Sequence, residues 1–294
     1  MARLDRGAIE WLTDRILGAI ARADTIDPTS QRFLLRRYTA TGRDDLAEGL
    51  GAALAVALSE PRTSDDPTPW LLLFAEASSF CDDDRVRNAA AGLMESLCND
   101  LHRTAEIGTT AATIEACLVA SSVLESHEST RSSIDELERL VGAAYRPGEG
   151  MGRGGGESDA GRGLLADQVR VASALLTAYA LSGRLPYSML AEELMQFSQR
   201  TFRDEHDGGF FNTRAAATSE KPFVVNCEMA RVFSRLDALR HDPDYRAVAV
   251  TASSADYARD AASTLASQTP NVRLRGLEAA AYGLALLDLG DDLQ

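Results

Sequence analysis

The feature that most constrains this chain is a helical period that runs through it almost without a break. Apolar residues recur three and four apart at Ile9, Leu12, Ile16 and Ile20, again at Leu46, Leu50, Leu54 and Leu58, and again at Val86, Ala90, Leu93 and Leu97. Residues so spaced share one face of an α-helix, and each such face must be buried against another element. Further helices are expected near 27–41, 67–80, 109–126, 130–144, 162–182, 186–203, 222–240, 243–268 and 274–289. Period-two alternation is almost absent. The one strand-like candidate is Gly208-Gly209-Phe210-Phe211, placed to start a small hairpin between helices. Asp82, Asp83 and Asp84, just ahead of the Val86 stripe, suit a helix N-terminus rather than a metal site.

A long series of helical hairpins has two packing solutions: a ring whose inner helices face one another around an axis, or an open solenoid. No repeat of fixed length, such as tetratricopeptide or ankyrin units show, runs through the chain, which favours the ring. The expected fold is all-α, an α/α toroid of about six helical hairpins, complete or partial, with the open helical-hairpin solenoid as the alternative. With 294 residues and 45% hydrophobic content the chain can build a sizeable core. No linker divides it into unlike halves, so one domain over 1–294 is expected. Residues 147–161 hold the most conspicuous glycine-rich stretch, beginning Pro147-Gly148-Glu149-Gly150-Met151-Gly152. It has neither the Gly-Lys-Ser/Thr ending nor the preceding strand of a phosphate-binding loop. It reads as a flexible connector or, in a sharper version, a lid over the mouth of the ring.

The formal net charge of −14 repels nucleic-acid backbones and anionic lipid surfaces, so neither is an expected partner. No run is long and apolar enough to span a bilayer, and the opening MARLDRGAIEW lacks a signal-peptide core, so a cytoplasmic location is expected. Cys81, Cys98, Cys117 and Cys227 stand far apart, with no Cys-x-x-Cys pair and no clustered histidines. They read as buried small hydrophobes. No metal and no cofactor is expected. Lys221 is the single lysine, which reads as a compositional bias toward arginine.

A resemblance appears in the second half. Leu165-Ala166-Asp167-Gln168, Ala178-Tyr179, Ser182-Gly183, Ala191-Glu192, Phe202-Arg203-Asp204 and Asp207-Gly208-Gly209-Phe210-Phe211 follow in order, then Lys221-Pro222, Asn226, Ala230-Arg231, Arg235-Leu236 and Asp244-Tyr245-Arg246. This series resembles the helical region of the thioredoxin-fused, spermatogenesis-associated thioredoxin-like family, over roughly 162–289. The strand-rich thioredoxin-like half and its Cys-x-x-Cys pair have no counterpart here, so no thiol-redox role carries over. The resemblance implies a six-hairpin toroid, an architecture shared with N-acylglucosamine 2-epimerases and several glycosidases. It does not imply a reaction.

If the ring forms, helix ends should converge on a pocket, and eight residues are candidates to line it: Asp167, Gln168, Asn226, Glu228, Phe210, Phe211, His206 and Glu278. Gln168 falls within the apolar arc of its helix and needs hydrogen-bond partners there. In the functional reading, Asp167 and Gln168 line the pocket. In the structural one, Asp167 serves the helix dipole and Gln168 bonds a neighbouring loop. Asn226 and Glu228 flank the stripe of Val225, Met229, Val232 and Leu236, and Glu228 could instead pair with Arg231 along the surface. His206 offers acid–base chemistry beside Phe210 and Phe211, which could equally plug the ring. Glycoside chemistry would need two opposed carboxylates, for which Asp167 with Glu228 or Glu278 is the candidate pair. The histidines His102, His127, His206 and His241 are scattered, which disfavours a histidine-pair epimerase. Two functions stay open, and with them whether the chain is an enzyme. One is binding or processing of a small polar metabolite or saccharide in the central cavity. The other is a non-catalytic helical scaffold for a protein partner.

Overall fold

Short polar side chains start several of the helices. Asp27 accepts from the Ser30 amide at 2.9 Å, with Pro28 pre-set at the first helical position. Asp83, one of the three consecutive aspartates, accepts from the Arg85 amide at 2.9 Å. The computed structural model describes residues 3–59, 66–101, 106–152, 163–213, 220–249 and 255–290.

Thirteen α-helices lie among the described residues. In chain order they are α1 (Ala8–Ala21), α2 (Pro28–Thr41), α3 (Asp44–Ser59), α4 (Thr68–Ser78), α5 (Asp84–Asp100), α6 (Ile107–Val123) and α7 (His127–Ala144). Then come the strands β1 (Tyr145–Arg146) and β2 (Gly150–Met151), followed by α8 (Leu165–Ser182), α9 (Leu185–Phe202), α10 (Phe223–His241), α11 (Pro243–Val248), α12 (Tyr257–Val272) and α13 (Ala280–Leu289). The stretch 243–268, expected as one helix, is two. Asp242 and Asp256 each supply a fresh N-cap, and Ala249 leaves the helix with an extended ψ of 139°. Residues 250–254 lie outside the described residues.

The helices form a closed α/α toroid. α2 packs on α4, α4 on α6, α6 on α8, α8 on α10, α10 on α13, and α13 returns to α2. Around this inner ring lie α3, α5, α7, α9 and α12, each against the inner helix that precedes it in its hairpin, with α1 against α13. Burial separates the two layers as their sequences require. Inner α6 carries buried residues on all sides, from Ile107 to Ser121, whereas outer α5 buries only Val86, Ala90 and Met94.

The ring is closed by the first and last helices. Leu12 and Ile16 of α1 pack with Phe33 of α2 and with Tyr282, Leu284 and Leu286 of α13. Burying each aliphatic side chain here contributes about 1.5–3 kcal/mol. Gly283 makes the close approach possible. A Cβ at that position would meet the Phe33 ring at 2.6 Å and Leu12 Cδ2 at 2.8 Å. The Tyr282 hydroxyl accepts from the Asp5 amide at 3.1 Å, fastening the chain ahead of α1 to α13.

Two small β elements sit between helices. β1 and β2 pair antiparallel, Tyr145 opposite Met151 and Arg146 opposite Gly150. The start of the glycine-rich stretch, expected as a flexible connector, is therefore a hairpin. Gly150 takes φ +74° there, and a Cβ on it would strike Gln168 Oε1 and the Phe197 ring, both at 2.6 Å. Residues 153–161, the remainder of that stretch, lie outside the described residues. The second element is the expected Gly-Gly-Phe-Phe turn, where Arg203 bridges to Phe210 and the Phe211 amide donates to the Phe202 carbonyl at 2.8 Å.

Gly283→Ala tests the closure. Alanine is ordinarily the better helix former, yet the added methyl has nowhere to go between Phe33 and Leu12, and the variant should lose about 1–3 kcal/mol in urea unfolding. A stabilised Gly283→Ala protein would show that α13 does not seat against α1 and α2 as described.

Candidate functional site

Of the eight residues singled out in the sequence, one faces the centre of the ring. Asp167 is buried, with Oδ1 accepting from the Gly108 amide at 2.8 Å and Oδ2 from the Leu164 amide at 3.0 Å, which fixes the start of α8. Gln168 is fully buried and bonds both backbone groups of Met151, its Oε1 accepting from the N–H and its Nε2 donating to the C=O, each at 2.8 Å. Asn226 treats Phe210 in the same way, at 2.8 and 3.0 Å. Phe210 is buried against Phe233, and Phe211 stacks under the Lys221 ammonium. His206 is exposed in its turn, and Glu278 is exposed beside Arg275 at 3.2 Å. Only Glu228 lines the central cavity, and its partner is Arg170 of α8 at 3.1 Å rather than Arg231 along its own helix. The candidate carboxylate pair of Asp167 with Glu228 or Glu278 is therefore not assembled: Asp167 is occupied by backbone amides and Glu278 is held on the outside by Arg275.

The cavity itself has a volume of about 480 Å³ and is walled by the six inner helices. Its described lining carries five arginines, Arg32, Arg36, Arg170, Arg231 and Arg235, against four carboxylates, Glu76, Glu115, Glu228 and Asp288. Each carboxylate meets a guanidinium. Arg32 holds Glu76 in a two-bond fork at 2.6 and 3.2 Å. Arg231 Nε donates to Asp288 at 2.5 Å, while Arg36 approaches the other Asp288 oxygen only to 4.0 Å. Glu115 Oε1 accepts from Ser173, Thr177 and Arg235 at 2.7, 3.0 and 3.1 Å, and Arg235 reaches Thr177 as well at 2.9 Å.

Charge and burial set the protonation of this wall. Burial pushes the Glu76 carboxyl upward, but the charge and hydrogen bonds of Arg32, helped by Arg36 and Arg231, outweigh it and hold Glu76 below the usual carboxylate range. Burial lowers Arg235 from its ordinary value, opposed by Glu115. Glu228 raises Arg170. A general acid for glycoside cleavage needs the opposite environment, a carboxyl raised toward neutrality by an apolar site. Among the described lining residues there is no aromatic side chain to stack a sugar ring, the apolar contribution being Leu72, Ala112, Val119, Val169 and Ala238. Ser173 and Ser234 add hydroxyls.

The sequence did signal this wall, in the form of isolated charges. Glu76, Glu115 and Asp288 are the single charged residues of α4, α6 and α13, helices otherwise apolar or small. A lone charge in such a helix requires a partner of opposite sign.

Among the described residues no group of three or more His, Cys, Asp or Glu is placed to hold a metal ion. No described helix is long and apolar enough to cross a membrane. Cys117 and Cys227 are buried as expected, whereas Cys81 and Cys98 are only half-buried.

By sequence the chain matches no known protein family and no characterised protein. Its fold is similar to that of several solved structures. A mutant unsaturated glucuronyl hydrolase from Streptococcus agalactiae aligns at TM-score 0.69 with 10% identity, over 98% of this chain and 92% of that one. A possible member of the GH105 family from Klebsiella pneumoniae aligns at 0.68 with 10% identity, over 97% and 93%. The α-1,6-mannanase from Salegentibacter aligns at 0.61 with 14% identity, over 89% and 87%. At these identities the likeness establishes the α/α-toroid fold and not the chemistry.

Two substitutions check the polar geometry. Gln168→Leu strands the Met151 N–H and should cost about 1–3 kcal/mol, with faster amide exchange at Met151. Glu76 is a stronger acid folded than unfolded, so its pair stabilises the protein above the ordinary glutamate pKa of about 4.3. That contribution disappears as the pH falls through the lower folded value. Glu76→Gln should therefore be less stable than the parent near neutrality and converge with it in acid. A constant difference across the pH range would contradict the assigned pairing.

Proposed function

We propose that the protein binds a small polar molecule, of the size and hydroxylation of a saccharide, in the cavity at the centre of the toroid. The observation that carries this reading is the charged wall of that cavity. A ring that served only as a spacer is most stable with an apolar plug at its axis, because buried ion pairs rarely match the stability of packed hydrocarbon. This chain instead keeps nine charged side chains there. A volume of about 480 Å³ suits a ligand of one or two rings. Two of the solved structures with this fold are described as sugar-processing enzymes, one of them complexed with an unsaturated glucuronyl disaccharide, which supports the saccharide class. The resemblance of residues 162–289 to the helical region of the thioredoxin-fused family belongs to the same reading and adds a fold rather than a reaction.

A second reading, a non-catalytic scaffold for a protein partner, is favoured by the pairing within the wall. All four carboxylates already hold guanidinium groups, and a hydrolase needs at least one raised carboxyl free to deliver a proton. Binding without hydrolysis satisfies both sets of observations, and it is the form in which the first reading is put forward.

Thermal unfolding against a panel of monosaccharides and disaccharides separates the two. A ligand present at about a hundredfold its Kd should add about 2.7 kcal/mol to stability. Ala238→Phe, which fills the cavity from the α10 wall, should abolish the response while leaving the protein folded. A parent protein indifferent to every sugar would favour the scaffold.

A further inference from the structure

The balance of charge on the cavity wall says more about the occupant than its volume does. The chain as a whole carries −14, yet the described lining holds five guanidinium groups and four carboxylates, one positive charge in excess. The excess is local. Asp288 sits between Arg36 and Arg231, with one oxygen accepting from Arg231 Nε at 2.5 Å and the other 4.0 Å from Arg36. Arg36 is therefore the least engaged of the five, and its side chain is 45% exposed. Arg231 and Arg170 each engage a described partner through Nε alone, leaving their Nη groups free of described hydrogen bonds. A guanidinium has five N–H donors, and a planar anion takes two of them at once.

The other wall groups complement a hydroxylated body. Glu115 uses one oxygen for all three of its hydrogen bonds, and Glu228 uses one for Arg170, so each retains an oxygen able to accept from a ligand hydroxyl. Unused guanidinium donors and unused carboxylate oxygens on the same wall suit a ligand with an acceptor-rich anionic head and a donor-rich polyol body.

Building on the central-cavity reading above, we propose that the ligand is a hydroxylated anion, a sugar bearing a carboxylate or phosphate, and that its charged group is seated by Arg36 and Arg231 over Asp288. The two acids share one recognition chemistry, a bidentate oxyanion on paired guanidinium groups. Arg36 and Arg231 come from helices on either side of α13, so the seat exists only in the closed ring.

The test is calorimetric titration of the full chain at low salt with three sugars of one skeleton: glucose, glucuronate and glucose 6-phosphate. The proposal expects at least one charged sugar to bind about tenfold or more tighter than glucose, a preference that weakens with added salt. Which of the two binds identifies carboxylate or phosphate as the head group. Arg36→Gln, on a half-exposed side chain whose loss the fold tolerates, should bring the charged sugar down to the affinity of glucose. Arg87→Gln, on the exposed face of outer helix α5, should leave the preference intact. Glucose binding as well as its charged relatives would overturn the anionic ligand and leave the cavity reading standing. A charge preference that survives Arg36→Gln would overturn the seat. Binding of none of the three would overturn the cavity reading and this inference together.

Discussion

Everything at the centre of this molecule depends on guanidinium meeting carboxylate. Six helices around an axis leave a hole that packing alone does not close, and nine charged side chains occupy its wall. Unpaired, any one of them would carry a desolvation penalty of several kcal/mol. Paired between helices, with Asp288 of α13 on Arg231 of the adjacent α10 and Glu115 of α6 reaching past α8 to Arg235 of α10, they tie the inner ring together across its centre. The same pairing commits each carboxylate to a guanidinium partner and leaves the Nη groups of Arg170 and Arg231 without described hydrogen bonds.

The periphery rests on a second polar device, used twice. Gln168 and Asn226 occupy the fourth position of α8 and α10, and each presents an amide that answers both backbone groups of one residue in a preceding β-turn or hairpin, Met151 in one case and Phe210 in the other. A primary amide matches a peptide unit in donor and acceptor, so it can stand in for a strand neighbour where none exists. Successive hairpins of the toroid thus share a construction although their sequences share no fixed repeat.

Legibility in the sequence followed the physics of each signal. Amphipathic stripes such as Ile9 to Ile20 announce helices because one-sided burial writes its period directly into the chain. The lack of a regular repeat favours a ring, but its closure through α13 is visible only in contacts between residues far apart in sequence, Gly283 with Leu12 and Phe33 among them. Gln168 lies within the apolar arc of its helix and Asn226 flanks one, but such a position does not say whether the partner is a ligand or a loop. The cavity wall was missed because a lone Glu115 or Asp288 looks like an isolated charge until six helices bring their lone charges to one axis.

Ring closure also has a temporal side. The apolar face of α1, with Leu12 and Ile16, packs on α2 and α3 soon after it is made, but the rest of its cover is α13, more than 260 residues later in the chain. A ribosome adding about 5–20 residues per second leaves the α13-facing part of that surface uncovered for many seconds while the intervening hairpins stack. During synthesis the nascent chain is therefore an open arc with one sticky end, vulnerable to capture by a chaperone or by the matching α13 of a neighbouring polypeptide. The latter would exchange the final helix between two chains and produce an interlocked dimer from a sequence that encodes a self-contained ring.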